Sequence, residues 1–152
     1  MENPYAAPES EIAEGTGSHL IYSPKQVMAG AFLGGPVGLI YFLRENFVAL
    51  GDNVLAKRSL VYGAALIVAL LVILPLLPEK FPSSPITIAY MIIGYQIANS
   101  RQMTRDAIAA SAHYTFHSDW RVFGLGLVCL LGSLTILVGP LVLLSMAGVL
   151  RG

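Results

Sequence analysis

Charge and apolar residues are sorted along this chain into separate territories. None of its 18 charged residues falls inside four apolar stretches, 27–43, 59–77, 81–98 and 122–150, which together take up more than half of the 152 residues. A membrane-spanning helix needs about 20 apolar residues, within a range of about 17–25. The stretches count 17, 19, 18 and 29. They predict an all-α, polytopic membrane protein with four transmembrane helices. Residues 1–24, rich in Pro, Ala, Ser and Glu, read as a disordered tail. Residues 25–152 read as a four-helix transmembrane domain, with spans at about 25–44, 59–77, 82–99 and 122–146.

The four stretches differ in quality. The second is almost wholly Ala, Val, Leu and Ile up to Pro75 and Pro78. The first is flanked by Tyr22 and Tyr41, placed as interfacial anchors. The third opens with turn chemistry at Pro82-Ser83-Ser84-Pro85, and Tyr90, Tyr95 and Gln96 interrupt it; it reads as a full span continuing towards His117, with a short or re-entrant helix as the alternative. The fourth is too long: at 1.5 Å per residue it makes about 44 Å of helix against a hydrocarbon core of about 30 Å. A tilt, or a kink at Gly139-Pro140, takes up the excess.

Lysine and arginine counts orient such a protein. Four spans put Arg44, Lys57, Arg58, Arg101, Arg105 and Arg121 on one side, and Lys25, Lys80 and Arg151 on the other. That places loops 44–58 and 99–121 in the cytoplasm and both termini in the periplasm. Arg44, Lys57 and Arg58 then meet lipid headgroups. Residues 1–23 carry no basic start and no apolar core of a signal peptide, so the membrane address falls to the first apolar stretch.

In lipid, helices associate where small residues let backbones approach. Gly30, Gly34 and Gly38 repeat at that spacing in the first stretch, where Pro36 beside Gly35 adds a bend. Gly132 and Gly139 lie seven apart in the last. These five are the candidate packing residues. They serve the protein's own helices, another copy of the chain, or a second membrane protein. Ser133, Thr135 and Ser145 are expected to bond within their own helix.

Catalytic chemistry finds little footing. Charged groups inside a bilayer mark proton relays and substrate sites, and the apolar stretches hold none. His113 and His117, with Asp106 and Asp119 nearby, make a weak metal motif if that segment is helical, and no metal or cofactor is expected. Cys129 reads as a packing residue. Net charge is zero, so nothing suggests nucleic acid. Four small helices suit a proton-coupled exporter in size, but such exporters need an intramembrane carboxylate. Tyr90, Tyr95, Gln96 and Asn99 leave a small pore or transporter subunit as the alternative reading.

Several segments resemble small bacterial inner-membrane proteins that carry no agreed activity. They are Asn3-Pro4-Tyr5-Ala6-Ala7-Pro8, Tyr22-Ser23-Pro24-Lys25-Gln26, Phe32-Leu33-Gly34-Gly35-Pro36, Asn46-Phe47-x-x-Leu50-Gly51 and Ser118-Asp119-Trp120-Arg121. The resemblance implies a bacterial inner membrane and no catalysis. Small polytopic proteins of that membrane include immunity factors against membrane-targeting, pore-forming toxins. The expected function is therefore non-catalytic: helix–helix association with a partner in the bilayer, a toxin being one candidate.

Overall fold

The computed structural model describes residues 19–78, 80, 82 and 84–147. The elements in order are β1 (His19–Ile21), α1 (Pro24–Ala49), α2 (Asn53–Ile73) running into a 3-10 turn at Leu74–Leu76, α3 (Ser84–Arg101), α4 (Arg105–Ala109), β2 (Tyr114–Phe116) and α5 (Asp119–Met146). Three helical segments are long and apolar enough to cross a membrane, Pro24–Ala49, Asn53–Leu76 and Asp119–Met146. This is the composition of a membrane-associated protein. The third expected span is α3, whose 18 residues are less apolar and fall outside that group.

The first of the three is not a straight rod. In a continuous helix, Tyr22 and Asn46 would stand about 36 Å apart. Here the Tyr22 amide donates to the Asn46 side chain at 2.8 Å, and the Asn46 amide group donates back to the Tyr22 carbonyl at 2.7 Å. The reversal is at Gly35, whose φ of 63° and ψ of −155° leave the helical region inside α1. That backbone is open to glycine and strained for other residues. Pro36, which has no N–H to donate, then starts the returning arm. α1 is a helical hairpin with arms 24–34 and 36–49, about 16 and 21 Å long.

The fold-back corrects two expectations. The 25–44 stretch does not run from one side of the molecule to the other, and Tyr22 and Tyr41 do not mark opposite ends of a span. Ser23 starts the first arm with a capping box: its hydroxyl accepts from the Gln26 amide at 3.3 Å, and the Gln26 side chain accepts from the Ser23 amide at 3.0 Å. Such reciprocal caps satisfy two otherwise orphaned donors.

The remaining helices surround the hairpin. α5, α3 and α2 each pack chiefly on α1, whose apolar stretch is 56% buried, against 11% for α2 and for α5. α2 begins six residues earlier than the expected span, because Asp52 caps it by accepting from the Leu55 amide at 2.8 Å. Residues 44–58 are therefore mostly helix, joined by a tight turn at Gly51, where φ is 75°. α5 runs through Pro140 without a break.

The expected tail also ends early. β1 pairs in parallel with β2, His19 opposite Tyr114 and Ile21 opposite Phe116. Residues 1–18 lie outside the described part, as do residues 148–152 at the other terminus. The pairing corrects the assignment of the N-terminal side and the 99–121 loop to opposite sides: residue 19 lies against the 99–121 connection. Lys25, Arg44, Lys57, Arg58, Arg101, Arg105 and Arg121 thus belong to one end of the molecule. Lys80 belongs to the other.

Candidate functional site

The polar end is organised by Tyr22, which is 1% exposed. Its backbone is held by Asn46, its ring meets Phe42 edge-on at 4.8 Å and stacks on His117 at 4.1 Å, and its hydroxyl accepts from Arg121 at 3.2 Å. Asn46 is itself 1% exposed and donates to the Gln102 side chain at 2.8 Å, while Gln102 donates to the Leu43 carbonyl at 2.9 Å. Gln26 donates to the His117 carbonyl and to the Asp119 carboxylate, both at 2.7 Å. β1, both arms of α1, the end of α3 and the start of α5 are therefore tied by side-chain bonds at one level. Among the described residues, no buried side-chain nitrogen or oxygen lacks a partner.

The hairpin tip is clasped from α5. The Ser133 hydroxyl donates to the Gly34 carbonyl at 2.6 Å and accepts from the Val37 amide at 3.2 Å. Both belong to the two helix ends that the reversal creates, where backbone groups lose their partners in the ladder. Ser133 is about 21 Å along α5 from Asp119, halfway down a helix of about 42 Å. Non-helical backbone at such a depth is tolerated where protein satisfies it. Ser133 thus corrects the expectation that it bonds within its own helix; Thr135, which donates to the Leu131 carbonyl at 2.8 Å, does so. Removing the Ser133 hydroxyl orphans a carbonyl and an amide together, each a penalty of about 1–3 kcal/mol when buried. Ser133→Ala should cost about 2–3 kcal/mol in detergent unfolding, with Thr135→Ala near neutral. Equal losses for the two would show that the clasp carries no special weight.

The glycines are consumed inside the molecule. Gly30, Gly34 and Gly38 do not form one face of one rod, because the reversal puts Gly38 on the opposite arm. A methyl at Gly30 would enter the Phe42 ring, and one at Gly38 would enter the Gly30 carbonyl oxygen. One at Gly34 would sit 2.7 Å from Cβ of Cys129. Gly132 faces Val37 loosely, and Gly139 faces nothing within 4 Å. Two glycines outside the expected set do equivalent work: Gly63 seats α2 on Ile40, and Gly94 seats α3 on Leu39.

The histidine pair is split. His113 and His117 flank a strand instead of sharing a helix face, and no group of three or more metal-ligating side chains occurs among the described residues. Burial against Tyr22, then the Arg121 charge, hold the His117 imidazole below its ordinary range, with Glu45 opposing weakly. The folded end therefore disfavours the imidazolium. Its contribution is complete above about pH 6.5, the unfolded histidine value, and is lost as pH falls below it. Protection from hydrogen exchange at residues 19–23, corrected for the pH dependence of the intrinsic exchange rate, should fall between pH 7 and pH 5. His117→Phe, which keeps a ring on Tyr22, should flatten that response, and an unchanged slope would refute the assignment.

Arg44 pairs with its neighbour Glu45 at 2.7 Å, and Lys57 and Arg58 are exposed on α2. Of the pore candidates on α3, Tyr90 is buried towards the core, whereas Gln96 and Asn99 are exposed. A cleft of about 540 Å³ lies beside Lys25, Gln26, Arg105, Asp119 and Phe123 at the polar end. A second, of about 460 Å³, opens between α2 and α3 over the returning arm of α1. No family model, curated protein or solved structure matches the chain.

Proposed function

We propose that this chain is a non-catalytic membrane protein that acts by helix–helix association with a second membrane protein. The contact is of the kind an immunity protein makes with an inserting toxin. The single observation that carries this reading is the outward face of α5. Val128 and Leu131 there are 64% and 66% exposed. A methyl added at Gly124 or Gly139 would meet nothing within 4 Å. Small residues on an outward face let a partner's backbone approach in lipid, where no hydrophobic drive brings helices together. Gly30, Gly34 and Gly38, buried in the hairpin, support the fold and leave this work to α5.

The orientation that suits this reading has the polar end in the cytoplasm, β1 included, with the chain in a bacterial inner membrane. Seven of the eight described lysines and arginines at one end support that direction under the positive-inside rule. A photo-crosslinking residue at position 128 or 131, activated in native membranes, tests the contact. A protein adduct of defined mass, abolished by Gly124→Leu, is the expected result. Lipid adducts alone would overturn the proposal.

A further inference from the structure

α2 and α3 both sit on the returning arm of α1, through Gly63 and Gly94, and make at most passing contact with each other. The space left between them is the cleft of about 460 Å³. Its floor is Leu39 and Leu43, and its deep walls are Leu66 from α2 and Ile93 from α3. Its mouth carries a cation from each wall, Arg58 of α2 and Arg101, the last residue of α3. Both belong to the polar end. Glu45 is engaged by Arg44, and Asp52 caps α2. Among the described residues, neither Arg58 nor Arg101 is in an ion pair.

We propose that this groove holds an anionic phospholipid, its phosphate between Arg58 and Arg101 and one acyl chain along the floor. Charge complementarity selects the occupant. Two guanidinium groups, each a planar fork of donors, suit the oxygens of a phosphate. Basic pockets between membrane helices are used for lipid headgroups in this way. The dimensions agree. From Arg58 to Leu66 is about 12 Å of helix, and from Tyr90 to Arg101 about 16 Å. One leaflet's hydrocarbon is about 15 Å deep. The site rests on the chain lying in a bilayer and is independent of any protein partner on α5.

The test is native mass spectrometry of the full chain taken from vesicles of phosphatidylglycerol and phosphatidylcholine in equal amounts. The chain should retain phosphatidylglycerol preferentially. Arg58→Gln with Arg101→Gln should lower that retention about thirtyfold, as loss of two basic contacts to an anionic headgroup implies. Lys25→Gln with Arg105→Gln removes equal charge from the same end, outside the groove, and should leave it unchanged. Leu66→Trp, which fills the groove and leaves both arginines, should also release the lipid. Equal loss in the Lys25 and Arg105 double variant would reduce the effect to general surface charge and overturn the site. So would displacement of the lipid by inorganic phosphate, or a disulfide-trapped second copy of the chain seated between α2 and α3.

Discussion

Cysteines placed at Lys25 and Val48 should react with a membrane-impermeant maleimide from the same side of the bilayer. A cysteine at Lys80 should react only from the other. Lys25 and Val48 lie near the two ends of α1 and are both exposed. In a straight span they would be about 34 Å apart, enough to cross the hydrocarbon core. In the hairpin they return to one level, because Tyr22 and Asn46 are bonded across it. The outcome is all-or-none. Cys129 is buried against Gly34 and should stay silent in both experiments. Opposite-side labelling of positions 25 and 48 would sink the hairpin and restore the four-span topology.

The second large effect is expected at Gly38. A methyl there meets the backbone oxygen of Gly30, which has no flexible end to swing aside. Overpacking a tight contact costs about 1–3 kcal/mol and occasionally more. Here relief requires separating two arms that are also pinned at Asn46 and at Ser133. Gly38→Ala should therefore lose at least about 3 kcal/mol, or fail to accumulate, read as the detergent-unfolding midpoint and the yield of folded protein. Gly124→Ala, on open surface, should remain at wild-type stability. Comparable stability for both variants would mean that the arms are not closely apposed.

Much of this architecture is visible from residue order alone, and the missing part has a physical cause. The lengths and apolar character of α2 and α5 follow from runs of Leu, Val and Ile, and α3 begins within two residues of the expected position. The reversal in α1 escapes such reading because hydropathy is blind to direction: an arm that returns is as apolar as one that continues. Gly35-Pro36 is compatible with a bend of any size. What makes the bend a full reversal is Ser133, which is remote in the chain and carries no local mark. The parallel β1–β2 pair escapes for the same reason, being two three-residue strands about 95 residues apart that gain meaning only when α3 has brought them together. Gly63 and Gly94 stand alone in their helices, so spacing motifs pass over them.

The clasp at the hairpin tip also sets an order of events during synthesis. Ser133 follows Gly34 by 99 residues. At about 5–20 residues per second, the ribosome delivers it roughly 5–20 s after the tip has emerged. Through that interval the first apolar stretch has no partner for its broken backbone. The hairpin is thus made well before α5 and is completed only after it. A chain truncated before α5 should leave it unclosed.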